Sequence, residues 1–366
     1  MGAAAASPFV GAQQAAMPVP GFPMLLSFSA LGTFLAVLLW AGPAMAAAVD
    51  AEDCAGNTPA VSIPACTRII AQAREPDDKI TEAFANRGKA HMLSNQFVRA
   101  IVDLDEALRR KPTHGDARHN RGVVYFQMGQ NDKALADFDE GVRLHPREAE
   151  TRFARGRTLY VMGQTDRAMA DFDATLGIDP RHVDALISRG ALFGLKRQPD
   201  RAIEDFDAAL RIDPNNVDAY SSRGAIYMST SRFPQAFADL DRAIKLDPNN
   251  EMTLLNRGLT YMFQQQYDSA IADFDRALRL NPRSAQMHVQ RGTAYFFKKQ
   301  SDRALTDFNQ AIRLDPNSLQ AYKLRGAIHG ASGRRDQAIA DFRKALKLNP
   351  SDESVKKNLK ELGATP

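Results

Sequence analysis

From Thr81 to Asp352 the chain writes one pattern eight times at a fixed step of 34 residues, with no insertion or deletion between copies. An Arg-Gly pair recurs at Arg87-Gly88, Arg121-Gly122, Arg155-Gly156, Arg189-Gly190, Arg223-Gly224, Arg257-Gly258, Arg291-Gly292 and Arg325-Gly326. The same step carries an alanine from Ala100 to Ala338, an Asp followed by Phe or Leu from Asp103 to Asp341, and a closing proline from Pro112 to Pro350. A period of this length marks a solenoid, in which each unit buries its apolar face only against its neighbours. The length of 366 residues would otherwise suggest two or three globular domains.

With Thr81 as position 1, each unit reads as two helices. Apolar residues at positions 20, 21, 24, 27 and 28, as in Ala202, Ile203, Phe206, Ala209 and Leu210, form a helical stripe rather than a strand alternation. The proline at position 32 stops that helix, because the residue before proline avoids helical dihedrals, and Thr113, Asn215, Asn249 and Ser351 after it are the predicted caps of the next helix. Glycine at position 8 lets the paired helix come close.

In these residues the chain resembles the tetratricopeptide repeat family. The family's small residue at position 8 is Gly88, its aromatic at 11 is Tyr125, Tyr227, Tyr261 or Tyr295, and its alanine at 20 is Ala100. Position 24 is Phe138, Phe172, Phe206, Phe274, Phe308 or Phe342, with Leu104 and Leu240 in the other copies. Gly141 and Thr175 depart from the alanine of position 27, and arginine at position 7 departs throughout. The resemblance spans about three quarters of the chain. It implies an all-α, right-handed α-solenoid of helix-turn-helix repeats that acts by binding rather than by reaction.

Position 7 arginine and position 23 aspartate occur in all eight copies, and a charge at a packing position calls for an opposite charge against it. An Arg-Asp ladder, within a unit or to the next, is therefore expected. The Asp-x-Asp pairs do not read as catalytic acids, since residues two apart on a helix point to different sides.

Residues 1–49 hold no charged side chain, and Met24 to Trp40 is an almost unbroken apolar run followed by Ala44-Met45-Ala46. Residues 1–48 thus read as a signal peptide cleaved after the small-x-small site, or as an N-terminal membrane anchor, and the protein as exported and periplasmic or inner-membrane anchored. The segment ahead of the run has no Lys or Arg and carries Pro18, Pro20 and Pro23, which places the expected true start downstream of Met1. Residues 49–80 hold Cys54 and Cys66, expected to form a disulfide in an oxidising compartment. There the repeat register puts Cys66 at the alanine position and Ile70 at position 24 of a half repeat closed by Pro76. Residues 353–366 supply a capping helix with Val355, Leu359 and Leu362 on one stripe, ended by Gly363.

Net charge is +4 from 47 basic and 43 acidic side chains, interspersed through every repeat, so no basic stripe points to nucleic acid. The seven histidines scatter, and no catalytic constellation, metal motif or phosphate loop is visible, so no cofactor is expected. The partner is expected to be a protein or peptide, with membrane contact only through an uncleaved N-terminus. The resemblance implies that first helices line an inner face through positions 2, 5, 9, 12 and 13. Phe126, Phe153 and Tyr160 stand there in repeats two and three, and Met228, Leu255, Met262, Phe263, Val289, Phe296 and Phe297 in repeats five to seven. Clustered Met and Phe suit an apolar peptide groove. Position 5 holds Ala85, His119 and Phe153 where the family's carboxylate clamp would want Lys, so an acidic C-terminus is not the expected ligand. A cell-envelope binding scaffold is the leading expectation. A structural subunit of an envelope assembly and an accessory presenting a client to an enzyme are the alternatives.

Overall fold

The computed structural model describes residues 48–72 and 77–365. The expected export segment up to residue 47 and Pro76 lie outside them. An N-terminal helix over 48–55, α1, and α2 (Pro59–Ala71) precede the repeats. The first four units are α3 (Asp77–Leu93) with α4 (Phe97–Arg110), α5 (Gly115–Gln127) with α6 (Asn131–Leu144), α7 (Ala149–Val161) with α8 (Thr165–Ile178), and α9 (Val183–Leu195) with α10 (Pro199–Ile212). The next four are α11 (Val217–Ser229) with α12 (Phe233–Leu246), α13 (Glu251–Phe263) with α14 (Tyr267–Leu280), α15 (Ala285–Phe297) with α16 (Ser301–Leu314), and α17 (Leu319–Ala331) with α18 (Arg335–Leu348). The helix α19 (Glu353–Glu361) closes the array, and no strand occurs among the described residues. The molecule is an all-α solenoid.

Its core is a column of position 24 side chains. Phe138, Phe172, Phe206, Phe274 and Phe308 are fully buried, and burying each contributes ~2–3 kcal/mol. Glycine at position 8 makes room for them: a Cβ on Gly122 would stand 2.7 Å from the Phe138 ring. The departures at position 27 are also packing matters. A Cβ on Gly141 would stand 2.9 Å from the methyl of Thr151, which the next repeat carries where most have alanine. Buried Thr175 satisfies its hydroxyl on the Asp171 carbonyl at 2.8 Å.

Two boundary details differ from expectation. The helix caps sit at position 34, not 33: His114, His182, Asn216, Asn250, Ser284 and Asp352 each accept a bond from the backbone N–H three residues on. Position 33 is spent in the turn, where the Asn215 and Asn249 N–H groups donate to Asp213 and Asp247. The turn inside each unit places position 15 in the left-handed region in all eight copies. Gly129, Gly163 and Gly333 suit it and Asn95, at φ 56°, tolerates it, whereas Arg197, Ser231, Gln265 and Lys299 adopt φ of 58–59° against their preference.

The Arg-Asp ladder is present and runs both within and between units. Each position 7 arginine donates from Nε and Nη2 to both oxygens of the position 23 aspartate of its own unit at 2.6–2.9 Å. Its Nη1 reaches back to position 25 of the preceding unit: Asp105, Asp139, Asp173, Asp207, Asp241, Asp275 and, last, Asn309. Arg87, with no full unit before it, bonds Thr67 of α2. A guanidinium satisfied on both prongs tolerates a half-buried seat.

At the N-terminal end α2 packs on α3, and Cys54 and Cys66 are disulfide-bonded and buried, tying α1 to α2. At the other end Val355 and Leu359 of α19 are fully buried and Leu362 packs beside them; Gly363, at φ +68°, follows.

Candidate binding face

Consecutive first helices touch one another, α3 with α5, α9 with α11 and α11 with α13 among them, and no contact of comparable extent joins two second helices. First helices therefore lie on the inner side of the stack. Side chains that point along this side are either trapped between neighbouring helices or left open, and burial separates the two.

Phe153, Leu255 and Val289, all at position 5, are trapped. They are 7%, 4% and 6% exposed and belong to the core, which corrects their expected place on the groove. Phe153 packs against Phe172 at 5.8 Å between ring centres and against His182 at 4.6 Å. A helical wheel gives a direction only, and the crossing of the next first helix covers that direction. His119, also at position 5, is buried enough that its imidazole is held below its ordinary pKa, with Nδ1 3.0 Å from the Thr151 hydroxyl.

Positions 12 and 13 are open. Tyr160, Phe263 and Phe297 are 47%, 64% and 53% exposed, while Phe126, Met228, Met262 and Phe296 are half-buried beside them. Three more exposed residues belong to the same rows, Leu93, Val161 and Leu195, and Met252 joins them at position 2. These were legible at the same positions of the repeat and were not singled out. Two of the aromatic ones are braced by position 17 of the preceding unit: Phe297 stacks on Tyr267 with ring centres 5.6 Å apart, and Phe263 tilts against Phe233 at 6.4 Å. Phe126 and Tyr160 meet in one cavity of about 340 Å³ between α5, α7 and α9, which Arg157 and Ile187 also line. Arg157, at position 9, has no counterpart in the expected set.

The buried aspartates at position 23 are taken up by the ladder, and no cluster of three or more His, Cys, Asp or Glu that could hold a metal occurs among the described residues.

Family models described as tetratricopeptide repeat match residues 85–149, 119–183, 255–318, 217–250 and 319–352, and one described as TPR repeat matches 198–231. Together they cover well over half of the sequence, and the chain belongs to the tetratricopeptide repeat family. Among solved structures, the APC/C hetero-tetramer Cut9-Hcn1 aligns with a TM-score of 0.61 at 19% identity, a likeness of fold. The alignment covers 82% of this chain and 58% of that one, so this chain spans little more than half of that relative's length. MamA aligns with a TM-score of 0.40 at 26% identity over 45% of this chain and 96% of its own. A tetratricopeptide repeat protein from Parabacteroides merdae aligns with a TM-score of 0.42 at 21% identity, over 77% of this chain and 98% of its own. No curated protein matches the chain.

Proposed function

We propose that the protein is a cell-envelope interaction scaffold that seats a partner protein or peptide along the open face of its first helices. The observation that carries this is the row of exposed Tyr160, Phe263 and Phe297, joined by Val161 and Leu195, at positions 12 and 13, which carry no charged residue in any unit. Large apolar side chains held open to water and braced from behind are the chemistry of binding hot spots. The family is in general a scaffold fold rather than a catalytic one. Export is supported by the uncharged apolar stretch ending in Ala44-Met45-Ala46 and by the Cys54–Cys66 bond, which suits an oxidising compartment. The outer face offers less: Val98 and Val102 on α4 are its most exposed apolar pair, too small a patch for a structural subunit that docks through that side.

The test is the pair Phe263→Ser and Phe297→Ser. Both side chains are mostly exposed, so the fold should lose no more than ~1 kcal/mol from the broken ring contacts, while crosslinked capture of the partner in the native compartment disappears. Undiminished capture sinks the groove reading, and a collapse of the melting temperature would show that the rings belong to the core. Location is tested separately by intact mass. Trp40 is the only tryptophan, so cleaved material contains none, and a cytosolic protein retaining it refutes export.

A further inference from the structure

Arg157 is an arginine without an acid. Its guanidinium lies 5.5 Å from the centre of the Phe126 ring and 5.8 Å from that of Phe153. Arg155, two residues earlier, is bonded to Asp171 and Asp139, whereas Arg157 has no carboxylate or hydrogen-bond partner among the described residues. It lines the cavity of about 340 Å³ and an adjoining one of about 110 Å³, and neither wall contains an Asp or Glu. The larger cavity is otherwise apolar, with Tyr160, Val161 and Ile187 around it, except for Ser188, whose hydroxyl also has no partner among the described residues.

These features converge on one ligand chemistry. A guanidinium presents a planar fork that fits a carboxylate with two parallel bonds. Stacked on two rings, it is already oriented and loses little freedom when the carboxylate arrives. Arg157 is exposed in the free chain, and a segment laid across the apolar walls would cover the pair from water, which strengthens it. A volume of this size, mostly apolar with a few convergent polar groups, is that of a ligand pocket.

We propose that this cavity is a subsite for an Asp or Glu side chain flanked by large apolar residues, within the segment that the open face holds. The proposal rests on the reading of that face as a binding groove and specifies what it selects. An internal side chain is favoured over a free carboxyl terminus, because exposed apolar residues continue on both sides of the cavity, Leu93 before it and Leu195 and Phe263 beyond. A segment seated on all of them runs through the cavity and does not end in it.

The experiment is a selection from random 12-residue peptides displayed with the C-terminus fused, so that no free carboxylate is present, on the full chain and on Arg157→Gln. A second library with free C-termini runs in parallel. The native chain should enrich peptides in which Asp or Glu adjoins aromatic or aliphatic residues. Re-synthesised as free peptides, these should lose about tenfold in affinity on Glu→Gln exchange, the effect of losing a charge-assisted bond. Arg157→Gln should still enrich apolar peptides, with no acidic preference and an unchanged melting temperature. Apolar peptides selected by the native chain without an acid, or an acidic preference that survives Arg157→Gln, overturn the subsite and leave the groove standing. A preference met only by free C-termini also overturns it. If the native chain enriches nothing from either library, the groove and the subsite fall together.

Discussion

Arg325 donates from Nη1 to the side-chain oxygen of Asn309 at 2.6 Å, and this is the one rung between full repeats in which the acceptor is neutral. Every other such rung ends on an aspartate, so the junction of the last two units has a weaker link of the same shape. Asn309→Asp should convert it. We expect a gain of ~0.5 kcal/mol at low salt for this exposed position. The gain should fade as salt rises toward ~1 M, where charges are screened within about 3 Å. Urea melts at two ionic strengths measure both, and an equal gain at both would mean the effect is not electrostatic.

The rung within a unit is the stronger one. Arg223→Leu leaves Asp239 buried with no cation and should cost ~3 kcal/mol, as breaking a buried pair does. The double replacement Arg223→Leu with Asp239→Leu removes both charges and should cost less than the single one. Thermal melts of the three proteins decide it, and a neutral single mutant would mean the pair holds nothing.

Gln265 and Lys299 occupy the left-handed turn position that Gly129, Gly163 and Gly333 fill elsewhere. Replacing either by glycine should stabilise its unit by ~0.5 kcal/mol, since the left-handed penalty of ~1–2 kcal/mol exceeds the extra entropy glycine loses. Gly163→Ala should cost ~1 kcal/mol for the same reason. Chemical denaturation of matched pairs tests the sign, which is the informative part.

Burial holds the imidazoles of His91, His119 and His329 below their ordinary pKa, with Arg334 adding to the effect at His329. The unfolded chain takes up these protons near pH 6.5 and the folded chain does not, so the stability they contribute is full above that pH and shrinks as pH falls below it. The melting temperature should therefore be lower at pH 5 than at pH 7.5. His91→Tyr with His329→Tyr, which install the aromatic that Tyr125 and Tyr227 supply at the same position, should flatten the profile. An unaltered profile would place the dependence on other groups.

The architecture was legible because a period states both the unit and its neighbour. Once Phe138 and Gly122 are seen to recur in step, the helix pair and its contact follow. The ladder was half legible. Arg223 and Asp239 asked for each other as opposite charges, but Asp207 stands two residues from Asp205 on a different side of the helix, and that direction is what lets it serve the next unit. The binding face was less legible, since a wheel cannot tell Phe153 from Tyr160: both point inward, and only the crossing of the next helix covers one of them. Arg157 was missed because its meaning lies in what does not surround it.

Both carboxylates that hold Arg223 stand sixteen residues from it, Asp239 ahead and Asp207 behind. The spacing acts as a ruler laid across both turns. One added residue in either turn would rotate the matching aspartate by about 100° on its helix and open the bridge. A whole unit is different, because it carries one arginine, the aspartate that arginine needs and the aspartate the next arginine needs. Removing or duplicating 34 residues would restore every bridge, so an array built this way can change in number of units far more readily than in their length.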